Sequence, residues 1–173
     1  GKSMGALSLT FNPKYRESFK PLVDGAKFSA YGDLDALRSS IDKDTAFVIL
    51  EPIQGESGIH VPPDGFLQEV RKICDENDIL LIFDEIQSGL GRTGRMWASE
   101  HWETIPDIMC LAKGIAGGVP MGVTLVKPDI LSVMKKGEHS STFGGNPLSC
   151  AAGTATIQAL TQDNLLKNAE VMG

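Results

Sequence analysis

Hydrophobic positions along the chain fall into two alternating patterns. Four short runs are almost continuously apolar: Ala46–Leu50, Ile79–Phe83, Ile108–Ala112 and Gly122–Val126. Runs of this length suit strands buried on both faces, as in a parallel sheet. Between them lie stretches with apolar residues three or four apart. Asp33–Ile41 reads as a helix with Asp33 as N-cap and Leu34, Leu37 and Ile41 on one face. A second helix opens at Asp64-Gly65-Phe66, runs through Leu67, Val70 and Ile73, and ends near Asn77-Asp78. Pro128–Met134, Pro147–Leu160 and Thr161–Met172 read as further helices, the last with Asp163 near its start. Residues 1–31 read as irregular, with turn signals at Asn12-Pro13 and Asp24-Gly25. Short apolar strands alternating with helices predict an α/β fold. In such folds ligands sit at the carboxyl ends of the strands. Glu51, Asp84 and Lys113 all fall at or just past predicted strand ends.

Composition narrows this picture. A chain of 173 residues suits one domain with a sizeable core. The net charge of −6 argues against nucleic acid or an acidic membrane surface as partner. No apolar run approaches the roughly 20 residues a membrane-spanning helix needs. Cys74, Cys110 and Cys150 are odd in number and widely spaced, which points away from a disulfide framework and toward a cytoplasmic location. His60, His101 and His139 are equally scattered, so no metal site is expected. The opening Gly1-Lys2-Ser3, without a methionine, reads as the interior of a longer polypeptide.

The candidate chemistry centres on Lys113. One apolar strand delivers Asp84; the next delivers Lys113 followed by Gly114, Gly117 and Gly118. A lysine and an acid so placed suit pyridoxal 5'-phosphate. The amine forms a Schiff base with the cofactor aldehyde, and the acid keeps a proton on the pyridine nitrogen so the ring accepts electrons. Either residue alone reads as readily as a surface lysine or a turn-capping acid; the pair reverses those odds. Gln87 is placed to donate to the ring oxygen, or else is a solvated turn residue. The run Ser140-Ser141-Thr142 beside Gly144-Gly145 offers hydroxyls and amides suited to phosphate. Arg92 and Arg95 are candidate carboxylate binders, although surface arginines are commoner. Trp97 and Trp102 read as packing residues or interface contacts rather than cofactor stackers.

Four motifs occur in order: Glu51-Pro52-Ile53-Gln54-Gly55-Glu56, Asp84-Glu85-Ile86-Gln87-Ser88-Gly89, Leu111-Ala112-Lys113-Gly114 and Ser141-Thr142-Phe143-Gly144-Gly145-Asn146-Pro147. Together they resemble the class III pyridoxal-phosphate aminotransferases of the acetylornithine and ornithine type, from Gly1 to about Leu160. The resemblance implies the type I large-domain fold, a mainly parallel sheet between helices, with residues 1–173 as its central part. It implies Lys113 as the Schiff-base lysine, Asp84 as the pyridinium partner and Gln87 on the ring oxygen. It also implies Thr142, beside Ser141, on the phosphate of the neighbouring subunit in a homodimer, and Glu56 as a residue that helps choose between substrates. The implied reaction moves an amino group from an ω-amino donor to 2-oxoglutarate, in arginine biosynthesis. A 4-aminobutyrate-type aminotransferase is the alternative within the family.

The phosphate loop, an aromatic–histidine pair and the small C-terminal domain with its carboxylate-binding arginine are not found in these residues. A partial chain, weak or inactive by itself, is therefore expected, and a non-catalytic self-associating fragment is the competing reading. A nucleotide-binding domain ranks behind both, because the glycines follow a lysine or hydroxyls rather than a first strand.

Overall fold

The structure, a computed structural model, describes residues 2–173, so Gly1 lies outside the described residues. It divides into two compact units, one running to Lys43 and the other covering Asp44–Gly173.

The first unit corrects the irregular reading of residues 1–31. Helices α1 (Met4–Ser8) and α2 (Pro13–Arg16) precede a 3-10 turn at Glu17–Phe19. Asn12-Pro13 is a helix start rather than a plain turn. The Asn12 side chain accepts the Lys14 amide at 3.0 Å, and Pro13 occupies the first helical position. Helices of four or five residues complete barely one turn, too short to show an apolar period. Ser8 Oγ donates to the Met4 carbonyl and accepts the Val23 amide, tying the following loop to α1. Helix α3 (Leu34–Ser40) carries the expected cap, with Asp33 Oδ1 accepting the Ala36 amide at 2.9 Å.

The second unit holds a sheet in the order β1-β2-β3-β4, comprising Phe47–Leu50, Leu80–Asp84, Ile108–Leu111 and Val123–Val126. The first three strands are parallel and β4 runs antiparallel to β3. Helix α4 (Phe66–Glu76) makes the crossover from β1 to β2. Its residues Leu67, Val70, Ile73 and Cys74 recur at helical spacing, and all are fully buried with Leu81 and Phe83 of β2. The strands are less covered than their sequence predicts. Along β2 fully buried residues alternate with half-buried ones, and β1, an edge strand, leaves Phe47 exposed. An apolar run shows that a strand lies in a sheet; it does not show how much of each face is covered.

Helix α5 (Pro128–Leu131) is a single turn. Helix α6 (Pro147–Gln162) begins at Asn146, whose side chain accepts the Ser149 amide, and packs on the 3-10 turn Lys113–Ala116. Gly153 makes that approach close, since a methyl group there would stand 3.1 Å from Met121 Sδ and 3.5 Å from the Ile115 carbonyl. Helix α7 (Leu165–Met172) starts later than predicted. Asp163 closes α6, and Asn164 reverses the chain in the left-handed region (φ +55°), where asparagine is better tolerated than most residues.

Candidate functional site

The site is built at the carboxyl ends of the parallel strands. Leu50 pairs with Phe83 and Asp84 with Cys110, so Glu51, Asp84 and the segment leading to Lys113 leave the sheet side by side. A concavity of about 640 Å³ opens there, within the range of small-molecule sites. Ile53, Gly55, Ile59, Gln87, Arg92 and Lys113 are among its lining residues.

Lys113 follows β3 by one residue and opens a 3-10 turn in the left-handed region (φ +50°). For a residue with a Cβ this conformation costs about 1 kcal/mol, and such strain gathers at functional positions. Lys113 Nζ donates to Gln87 Oε1. In this rotamer Gln87 occupies the space that a side chain at residue 55 would take. A Cβ on Gly55 would stand 2.1 Å from Gln87 Nε2 and 2.4 Å from its amide carbon. Gly55 is itself held by Glu51, whose Oε2 accepts its amide at 3.0 Å.

Burial pushes the Glu51 carboxyl above its ordinary value, aided by the charges of Asp84 and Glu56 and opposed by the Gly55 amide and Lys113. Asp84 is half-buried, and its Oδ1 accepts the Ile86 amide at 3.0 Å, which turns the chain out of β2. It stands beside the concavity rather than among its lining residues. Burial first, and then the Asp84 charge, raises the thiol of its strand partner Cys110.

Glu85, one residue on, was not singled out by its sequence. It is fully buried. Oε2 accepts Ser88 Oγ at 2.7 Å and the Ala98 amide at 3.1 Å; Oε1 accepts the Ser99 amide at 2.8 Å. An acid behind an apolar strand gives no sign of whether it faces solvent or the interior. The weak hint available was Ser88, a hydroxyl three residues on.

Other sequence candidates lie apart. Glu56 is exposed, near enough for its charge to reach Glu51. Ser141 and Thr142 are exposed, in a turn where Gly144 donates to the Ser141 carbonyl and Gly145 takes φ +69°. Neither lines the concavity. Arg92 lines it and Arg95 does not. Trp97 and Trp102 are half-buried, and neither lines the concavity. No grouping of His, Cys, Asp and Glu suited to a metal occurs among the described residues.

This strand-end site on a mainly parallel sheet coincides with a match to the family described as aminotransferase class-III over residues 1–173, and the chain belongs to that family. It is 51% identical over its whole length to the acetylornithine aminotransferase of Methanopyrus kandleri, and 48% identical to the putrescine aminotransferase of Pectobacterium atrosepticum. It spans 44% and 39% of those two proteins. A solved ornithine aminotransferase from Toxoplasma gondii, with partial occupancy of PLP at its active site, is similar at TM-score 0.87 and 38% identity. That match covers 98% of this chain and 40% of the other.

Proposed function

We propose that the chain is the cofactor-bearing core of a pyridoxal-phosphate aminotransferase of the acetylornithine/ornithine type. One observation carries this reading: the primary amine of Lys113, set in a left-handed turn at a strand end, is held by Gln87 beside Asp84. The donor set fits the cofactor. An amine matches its aldehyde, a carboxylate its ring nitrogen and an amide its ring oxygen; the Gly55 slot keeps the amide in place. Lys113, Asp84 and Gln87 would hold those three groups, and Thr142, with Ser141, would serve the phosphate of a second copy in a homodimer. When bound, pyridoxal phosphate supplies an aldehyde that carries the amino group and a ring that draws electrons from the neighbouring carbon.

The remaining work falls to the chain. Lys113 Nζ would accept the proton that the substrate carbon gives up and hold it for return. Asp84 would set its carboxylate against the ring nitrogen and so favour a proton there. Gln87 orients the lysine amine between turns. Ile53 and Ile59 offer an apolar wall to the methylene chain of an ω-amino donor. Acetylornithine, ornithine and putrescine, named for the relatives above, all carry a primary amine on such a chain. Glu56, at the edge of this region, would distinguish donor from the 2-oxoglutarate acceptor.

The test is addition of pyridoxal phosphate followed by borohydride reduction and peptide mass mapping. The expected label sits on Lys113. A label spread over surface lysines, with Lys113 no more reactive than the others, overturns the reading.

A further inference from the structure

Glu85 is a fully buried ionisable group that the proposed chemistry leaves unused. Its two oxygens close a loop: residues 86–97 leave β2 at Glu85 and return to the same carboxylate through the amides of Ala98 and Ser99. Ser88 pins the start of that loop to the same group. The Glu85 main chain is fixed as well, its amide donating to Cys110 and its carbonyl accepting Gly89. Gly89 allows this close fold, because a Cβ there would lie 2.8 Å from the Glu85 carbonyl and 3.4 Å from Oε2. The loop so closed carries Gln87, Arg92 and Thr93 into the concavity. A buried carboxylate accepting three hydrogen bonds is costly to disturb, because any donor placed among them opposes another donor.

We infer that Glu85 is a positioning residue that clamps the loop 86–97 and thereby sets Gln87 against the Lys113 amine. The inference deepens the proposed function and rests on it for its significance. Asp84 and Glu85 then divide one motif between two tasks. The first stands beside the site, and the second holds the wall of the site in place.

The experiment is a double-variant cycle on this chain, with Glu85→Gln, Gln87→Ala and the two combined. The pH–rate profile of Lys113 modification is read by peptide mapping, once with acetic anhydride and once with pyridoxal phosphate and borohydride. Amide exchange across residues 86–99 is followed without any cofactor. Glu85→Gln is expected to move the Lys113 profile in the same direction as Gln87→Ala, by about tenfold in rate at fixed pH. It is expected to add nothing when Gln87 is already alanine. Exchange at Ala98 and Ser99 should rise while β2 stays protected. An unchanged Lys113 profile, or an equal change in both backgrounds, overturns the inference. Should Glu85→Gln fail to fold, Ser88→Ala takes its place. It removes one of the three hydrogen bonds, and its smaller shift must likewise vanish in the Gln87→Ala background. The two reagents separate the claims. Coupling seen with acetic anhydride but no pyridoxal phosphate fixed at Lys113 overturns the cofactor reading alone; fixation without coupling overturns the role of Glu85 alone.

Discussion

The two ends of the sheet handle charge in opposite ways. At the amino end of β3, buried Asp107 is saturated. Its Oδ2 accepts the Leu81 amide and Arg71 Nη1, each at 2.7 Å, and its Oδ1 accepts Lys127 Nζ at 2.8 Å. Arg71 is shared further with Asp75. At the carboxyl end, Lys113 meets an amide rather than a carboxylate, and Asp84 meets a single backbone N–H. Among the described residues neither is in an ion pair. Charges neutralised on every side hold strands together; charges left with spare capacity beside a concavity are available to a ligand. The same strands carry both, so the contrast lies in the ends and not in the sheet.

The sharpest way to break the comparison is at Lys113. Lys113→Gly should abolish fixation of pyridoxal phosphate at this site while stability holds or rises by about 1 kcal/mol, because glycine relieves the left-handed strain. Loss of label together with a fall in unfolding free energy would make Lys113 structural. Next comes Asp107→Ala, expected to cost about 3 kcal/mol by stranding Arg71 and Lys127 and the Leu81 amide. Urea unfolding measures that cost, and Lys113 labelling of the folded fraction should be unaffected. Gly55→Ala should displace Gln87 and slow fixation at Lys113 about tenfold, with a stability change of about 1 kcal/mol. An unaltered rate would mean that the slot has no bearing on the lysine.

The smallest effect is the pH dependence of the Asp107 cluster. Burial works to raise this carboxyl, but the Leu81 amide, Lys127 and Arg71 outweigh it and leave it below its ordinary 3.8. A carboxyl lowered in the folded state stabilises fully above pH 3.8 and loses that contribution as pH falls through the lower folded value. Wild type and Asp107→Asn should therefore converge in thermal midpoint under strong acid; a constant gap down to pH 2 would contradict the assignment.

What the sequence made legible was whatever depends on local order. The four apolar runs became the four strands, Leu67-Val70-Ile73 became the buried face of α4, and Asp33 became a cap. Lys113, Asp84 and Gln87 stood out as candidates because their spacing from strand ends is a property of the chain. Direction was not legible, because Val123–Val126 has the same composition whether it runs with β3 or against it. Nor was Glu85, whose two amide partners lie 13 and 14 residues away. In the sequence Gly55 is only one member of a motif. Its real content, a glutamine amide within 2.1 Å of an absent methyl, arises only when β1 and β2 are brought into register.

The antiparallel course of β4 bears on where the chain tolerates a change of length. Leu111 pairs with Val123 and Ile108 with Val126, and the next residue, Lys127, donates its amide to the Asp107 carbonyl as well as its ammonium to the carboxylate. One residue inserted within β4 would exchange the two faces of the strand and carry Lys127 away from Asp107. The exposed stretch 135–145 makes no such double commitment, and its hydrogen bonds are local, as from the Lys135 amide to Glu138. Insertions and deletions are therefore expected to be absorbed in 135–145 and refused within β4; paired single-residue insertions at the two places, compared by yield of folded protein, would show it.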